Sequence, residues 1–195
     1  MYKMFMIFAL SMITAFPVHA KRTSPLKPMG LPWGEPVPST FREVPDWRYF
    51  YGDSSWGFMV FYGDAFNMES ELQIRFANKK ISNATLILGP RGLSDYGCMT
   101  TYKNVIRLLS SKYGKPYQVK VTESEIKEDL IYSTICSPIR SGLFVHETIW
   151  DVGNFYIIAA IYGDDVDIFI EVDYVYKPLK KEKQKLDDKK LLKFL

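Results

Sequence analysis

Hydrophobic and polar positions alternate along much of the chain, with the period of two that is typical of a half-buried β-strand. In 166–176 one parity is apolar, namely Val166, Ile168, Ile170, Val172 and Tyr174, and the other holds Asp167, Phe169, Glu171 and Asp173. Leu72, Ile74 and Phe76 likewise alternate with polar residues, and Asn78-Lys79-Lys80 then favours a turn into the segment 81–88. The pattern predicts a strand over 166–176 and a β-hairpin over 71–88.

Two segments, 56–62 and 154–162, are apolar on both parities, which is typical of strands covered on both faces. Glycine-containing turns separate 154–162 from the segments before and after it. We therefore predict a three-strand meander over 143–151, 154–162 and 166–176, with 154–162 as its central strand.

One segment, from about Met99 to Tyr113, has the period of an amphipathic helix. Its apolar stripe consists of Met99, Tyr102, Val105, Ile106, Leu109 and Tyr113. Gly114 suits the left-handed residue that often follows a helix, and Pro116 prevents continuation. After the helix, the sequence predicts a short strand over 117–121. The segment 122–140 is ambiguous, since only 124–130 has helical composition. Pro138 is expected to end this segment.

These elements predict a single α+β domain over 47–176, with an antiparallel sheet of about five to seven strands and one main helix packed on a face. Six prolines in 21–46 forbid a helix, so that stretch is predicted to be an extended arm that Trp33 could fix against the body. Residues 177–195 form a basic tail, whose apolar residues make no single face on a helical wheel.

The first twenty residues have the layout of a secretory signal peptide. Lys3 is followed by the apolar run 4–16, and Val18-His19-Ala20 places small residues before a cleavage site after Ala20. The run is shorter than the about 20 residues that a membrane-spanning helix needs. We therefore predict a periplasmic or secreted protein, with no transmembrane segment in the mature chain.

Two cysteines, Cys98 and Cys136, occur in a chain that is predicted to enter an oxidising compartment. They allow only one intramolecular pairing, so we predict a disulfide between them. A pair of free thiols or a redox pair is the alternative, although the spacing differs from a Cys-x-x-Cys motif.

The net charge of +3 conceals an asymmetry, because 21–176 carries −3 and 177–195 carries +5. A nucleic-acid-binding protein places its positive charge on the folded surface, so nucleic acid is not a predicted partner. A solvated tail that binds nothing is the preferred interpretation. The alternative is a tail that acts electrostatically, either on an anionic envelope surface or on Asp167, Glu171 and Asp173.

The sequence offers few groups for catalysis or metal binding. After the predicted signal peptide the one histidine is His146, whereas a zinc site needs about three to four His or Cys ligands. No Gly-x-Ser-x-Gly, P-loop or dinucleotide-binding motif is present. His146 could act as a base, but a packed or surface strand histidine is the preferred interpretation. We predict no catalytic, cofactor-binding or metal-ligating residue.

Two clusters require interpretation. The acids Asp164, Asp165, Asp167 and Glu171 are dense enough for a calcium site or a glycosidase pair, but they lack the glycine and closing glutamate of an EF-hand loop. We interpret them as turn acids followed by an outward strand face. The tripeptide Tyr-Gly-Asp at 51–53, 62–64 and 162–164 is interpreted as strand ends that turn on glycine.

Aromatic side chains crowd into 47–56, where the members are Trp47, Tyr49, Phe50, Tyr51 and Trp56. Packing in a sheet explains most of them. Surface recognition is the alternative, because aromatic faces stack on sugars and contribute strongly to protein interfaces.

Four features can be taken together: Trp33-Gly34, the hairpin turn Phe-Ala-Asn-Lys-Lys-Ile at 76–81, the helix ending Leu-Ser-Ser-Lys-Tyr-Gly-Lys-Pro at 109–116, and Trp150. In combination they resemble a loose group of small exported bacterial proteins. The resemblance covers about 120 residues. It implies export and a sheet with a helix, without an assigned activity.

We therefore expect an exported, non-catalytic protein that works by binding an unknown protein or envelope component. The alternatives are a cell-envelope hydrolase that uses carboxylates and a secreted factor directed at a host.

The predicted cleavage site gives a direct test of export. Because Val18 and Ala20 place small residues at the positions that the signal peptidase reads, the mature chain should begin at Lys21. Mass spectrometry of the protein from the producing cell measures its N-terminus, and a chain that retains residues 1–20 would contradict the assignment.

Overall fold

A computed structural model of the chain describes residues 27–89, 92–93, 97–123 and 136–180. The predicted signal peptide, 1–20, lies outside these residues, as do 124–135 and most of the predicted tail, 181–195.

Eight strands of the described residues form one antiparallel sheet. In chain order they are β1 (Trp47–Asp53), β2 (Phe58–Ala65), β3 (Met68–Ala77), β4 (Lys80–Leu88), β5 (Gln118–Glu123), β6 (Phe144–Val152), β7 (Phe155–Gly163) and β8 (Ile168–Tyr176). Helix α1 (Cys98–Tyr113) precedes β5, and the one-turn helix α2 (Cys136–Arg140) precedes β6. The strand order is β1-β2-β3-β4-β8-β7-β6-β5, so two four-strand meanders meet where β4 pairs with β8.

This architecture corrects the predicted fold class. An α+β domain with five to seven strands is wrong, because the described residues form eight strands and the fold is closer to all-β. The strand that periodicity misses is β1. Its register shifts between Tyr49 and Tyr51, and the extra residue Phe50 breaks the alternation of side chains.

Other expectations agree with the structure. The hairpin is formed by β3 and β4, and β7 lies between β6 and β8. Strand β8 buries its apolar parity from Ile168 onward, although Val166 lies before the strand and is 70% exposed.

The expectation for Pro138 is wrong. Pro138 does not end its segment but lies within α2, where the first turn of a helix tolerates proline.

The hydrophobic core lies on one face of the sheet. One row of paired residues crosses all eight strands, namely Tyr49, Phe61, Leu72, Leu86, Val172, Ala159, Thr148 and Val119. The six inner members of this row are buried. We call this side of the sheet the core face.

Helix α1 covers part of the core face and confirms the predicted helix, beginning one residue earlier than expected. Its side chains Tyr102, Val105 and Leu109 are buried. The Tyr102 hydroxyl lies 3.1 Å from the carbonyl oxygen of Ala159 on β7. At the other end of the helix, the Trp150 indole N–H donates to the carbonyl of Gly114 at 3.0 Å. These bonds fix both ends of α1 to the sheet.

The proline-rich arm covers the rest of the core face. Its side chains Leu31, Trp33, Val37 and Val44 are buried. The Trp33 ring meets the Phe155 ring edge-on at 5.0 Å, and its indole N–H donates to the carbonyl of Pro28 at 2.9 Å. The arm and both helices therefore share one face.

The predicted disulfide joins Cys98 at the start of α1 to Cys136 at the start of α2. Both cysteines are buried, and the described residues contain no free cysteine. The bond ties together the two helices that pack on β6 and β7.

The disulfide has a predicted effect on stability. Replacing both cysteines with serine should lower the free energy of unfolding by about 2–4 kcal/mol, because the bond no longer restricts the unfolded chain. Urea denaturation with and without reductant measures the change, and reductant should not affect the double variant. Two free thiols in the unreduced, denatured wild-type protein would contradict the pairing.

Candidate functional site

The other face of the sheet, which we call the open face, carries the side chains of opposite parity. One row crosses all eight strands in the order Arg48, Tyr62, Glu71, Ile87, Glu171, Ala160, Glu147 and Lys120. Within this row, glutamates lie on every second strand from β3 to β6, and the two edge strands carry the bases Arg48 and Lys120. We call Glu71, Glu171 and Glu147 the acidic row, whose Cα atoms lie about 10 Å apart at the usual spacing of strands.

The acids at the centre of this face are held by neighbouring hydroxyl and amide groups. The Tyr162 hydroxyl donates to the Glu171 carboxylate. The Thr85 hydroxyl donates to Asp173 Oδ1 at 2.5 Å, and the Gln73 amide donates to Glu71 Oε1 at 2.7 Å. Because β4 pairs with β8, acids that are far apart in the sequence become neighbours.

Burial shifts the titration of these groups. Burial raises the pKa of the Glu171 carboxyl above its usual range, against the opposing effect of the Tyr162 hydrogen bond. Burial likewise raises the pKa of Asp173, although the Thr85 hydroxyl and the Arg75 charge both lower it. The pKa of Tyr162 is raised by burial and by its bond to Glu171. The face therefore holds carboxylates that would gain from a nearby cation.

Exposed aromatic rings lie at the β1–β2 end of the open face. We call Phe50, Tyr51, Trp56, Phe58 and Tyr62 the aromatic patch. Exposed fractions are 58% for Phe50, 45% for Tyr51, 67% for Trp56 and 38% for Phe58. The ring of Phe50 lies 5.0 Å from Tyr62 and 5.1 Å from Tyr51, which in turn lies 5.8 Å from Phe58. Phe50, Tyr51, Phe58 and Tyr62 therefore form one connected group of rings, and Trp56 is exposed in the adjoining β1–β2 turn.

The aromatic patch and the acidic row are contiguous. Tyr62 pairs with Glu71 across β2 and β3. Burial first, and then the charge and hydrogen bond of Glu71, raise the pKa of Tyr62. Arg75 pairs with Phe58 and supplies one of the few positive charges nearby.

The structure separates the acids that the sequence had grouped. Asp164 lies in the β7–β8 turn, where it accepts from the backbone N–H of Asp167 at 2.9 Å, and this bond lowers its pKa. Glu171 lies instead in the acidic row. Among the described residues, no three His, Cys, Asp or Glu side chains could together hold a metal ion.

His146 lies on the core-face parity of β6 and is half-buried. Its ring packs 4.5 Å from Phe144 and 6.1 Å from Tyr102, both measured between ring centroids. The histidine is therefore part of the contact between β6 and α1.

The three Tyr-Gly-Asp tripeptides share a simple arrangement. Each glycine lies inside a strand and faces the core, where a neighbour approaches closely. A Cβ at Gly163 would lie 2.3 Å from the Ile139 carbonyl, and one at Gly52 would lie 2.5 Å from that of Phe58. The preceding tyrosines point to the open face. The recurrence thus reflects close packing of glycine on the core face and a tyrosine on the open face, where Tyr51 is exposed and Tyr62 and Tyr162 are partly buried.

Comparison with known proteins identifies no relative, since no family model, curated protein or solved structure matches the chain. Within the part of the chain that the structure describes, no helix has the length and apolar character needed to cross a bilayer.

Sequence reasoning recognised the aromatic residues but interpreted most of them as packed. In the structure Trp47 and Tyr49 are half-buried, whereas Phe50, Tyr51 and Trp56 are exposed. The acidic row was missed, because Glu71, Glu147 and Glu171 come together only through non-local strand pairing. Alternation did place Glu171 and Asp173 on an outward face, which was the one local signal.

The raised pKa of Glu171 predicts a pH-dependent stability difference. A carboxyl whose pKa is raised in the folded state stabilises the fold at low pH and loses this contribution as pH rises through the folded pKa. Glu171→Gln should therefore gain stability relative to wild type as pH rises from about 4 to about 8. Urea unfolding across this range gives the difference, with Glu43→Gln on the arm as control. A difference that stays flat or falls with rising pH would contradict the role of burial.

Proposed function

We propose that this chain is an exported, non-catalytic binding protein whose aromatic patch docks a partner protein. The predicted signal peptide supports export, and a disulfide is typical of oxidising compartments.

The observation that carries the proposal is a connected group of rings in which Phe50, Tyr51 and Phe58 are exposed, with the exposed Trp56 in the adjoining turn. A contiguous exposed apolar surface commonly marks an interaction site, whereas isolated exposed rings need no explanation. The patch also lies on the face that the arm and helices leave uncovered. Exposed Tyr and Trp side chains are enriched among the residues that contribute most to protein interfaces.

Ring geometry favours a protein partner over a sugar. The rings of Phe50 and Tyr51 meet at 83°, and those of Tyr51 and Phe58 at 80°. Such edge-to-face pairs give an irregular surface for apolar side chains rather than a flat platform for a sugar ring. The adjacent acids Glu71 and Asp64 complement basic groups. The preferred partner surface is therefore apolar with a basic rim.

One observation favours a second candidate, a hydrolase that uses carboxylates. Carboxyl groups with a raised pKa often occur at catalytic sites. Glu171 has a raised pKa and also accepts a hydrogen bond from the Tyr162 hydroxyl. Its raised pKa follows from packing within an open sheet face, so the binding proposal accounts for it as well. A wall-degrading activity that disappears in Glu171→Gln would favour the hydrolase.

The binding proposal is tested by site-specific photocrosslinking in the producing cell. A benzophenone amino acid replaces Ser55, an exposed residue beside Trp56, and a second chain carries it at Leu108 on α1. We expect a discrete protein adduct from position 55 and none of the same size from position 108. Adding Trp56→Ser and Phe50→Ser to the position-55 chain should reduce this adduct by about thirtyfold or more, which corresponds to one hot-spot residue.

The outcomes separate the alternatives. The same adducts from both positions, or an adduct that survives loss of Trp56 and Phe50, would overturn the proposal. An adduct that resists protease but is removed by glycan-degrading enzymes would identify a carbohydrate ligand instead. Thermal unfolding of the variants serves as the folding control.

A further inference from the structure

The chain leaves β8 at a corner of the open face. Lys177 donates to the Asp151 carboxylate and to the carbonyl of Gly153, the latter at 2.8 Å. Its ammonium lies 4.6 Å from the centroid of the Tyr156 ring, and that of Lys180 lies 5.8 Å from it. Asp151 and Tyr156 are paired residues of the open face. The first lysines of the basic segment therefore already lie on this face.

The order of residues in 181–195 matches the order of surfaces on the open face. Its lysines are Lys181, Lys183, Lys185, Lys189, Lys190 and Lys193, against the acids Glu182, Asp187 and Asp188. Most of its apolar residues come last, at Leu191, Leu192, Phe194 and Leu195. Across the sheet from β7, Glu171 on β8 and Glu71 on β3 come before the aromatic patch on β2 and β1. The row of Tyr156 itself runs through Val175, Asn83 and Arg75 to Phe58.

The reach of the segment is sufficient. Four strand spacings separate β7 from β2, which is about 19 Å. Fifteen residues can span about 50 Å when extended. The face also has the complementary charge, since the four acids Glu71, Glu147, Glu171 and Asp173 outnumber the three bases Arg48, Arg75 and Lys120. Lys120 lies 3.9 Å from the Glu147 carboxylate.

We propose that residues 181–195 dock on the open face of their own chain, with the lysines over the acidic row and the apolar end against the aromatic patch. The segment thereby withholds its lysines from anionic membranes. A partner protein must displace the apolar end to reach the patch; this consequence rests on the proposed function, whereas the docking itself does not.

The test is carbodiimide crosslinking of the full exported chain, followed by mass spectrometry of the monomer. We expect amide links from Lys181, Lys183 or Lys185 to Glu71 or Glu147, about tenfold more frequent than links to Glu43 on the arm. Because the docking is largely electrostatic, the links should disappear between about 50 mM and about 500 mM salt. Glu71→Gln with Glu147→Gln should remove them, whereas Glu35→Gln with Glu43→Gln should not.

Each other outcome overturns the docking. Equal linking to Glu43 would show that the lysines contact acids at random. Links that form only between isotopically light and heavy chains would show exchange between copies. Capture of the segment by anionic vesicles, without open-face links, would assign the lysines to a membrane.

The two proposals fail separately. Open-face links without a position-55 adduct would leave the docking standing and remove the partner protein. A position-55 adduct without open-face links would leave the partner protein standing and remove the docking. If both hold, Lys181→Gln, Lys183→Gln and Lys185→Gln together should increase the position-55 adduct.

Discussion

The pairing of β4 with β8 is the interaction on which the rest of the structure depends. It joins two four-strand meanders into one sheet and sets Leu86 opposite Val172 on the core face. The same register sets Ile87 opposite Glu171 on the other face. A slip of one residue would exchange the two faces, so burial of the apolar parity fixes the register and thereby the acidic row.

The two faces of the sheet have different roles. The arm, α1 and α2 all pack on the core face, where the disulfide joins the two helices. The indole N–H of Trp33 donates to Pro28 within the arm, and that of Trp150 donates to Gly114 at the end of α1. The open face instead keeps carboxylates at its centre and rings at one end. Burial raises the pKa values of the Glu171 and Asp173 carboxyls, so keeping these groups charged within the face opposes folding at neutral pH.

Much of the fold could be predicted from local patterns. Alternation located β3 and β8, and the turn at Asn78-Lys79-Lys80 located β4 as the partner of β3. The apolar stripe located α1, because 3.6-residue periodicity is a local property. Strand β1 was missed because its bulge at Phe50 disrupts alternation. The pairing of β4 with β8 has no local signature, and the acidic row depends on it. Ring exposure at Phe50 and Trp56 could not be derived either, since it depends on which face the arm and helices cover.

The most direct test of this division between the faces compares their effects on stability. A chain with Phe50→Thr, Trp56→Ser and Glu147→Gln should retain its free energy of unfolding to within about 1 kcal/mol, because such surface changes contribute little. The single core-face substitution Leu72→Ala should instead cost about 2–5 kcal/mol. Urea denaturation of both variants measures the two changes. A loss in the open-face variant as large as that in Leu72→Ala would show that the face is built for stability, and would contradict the account.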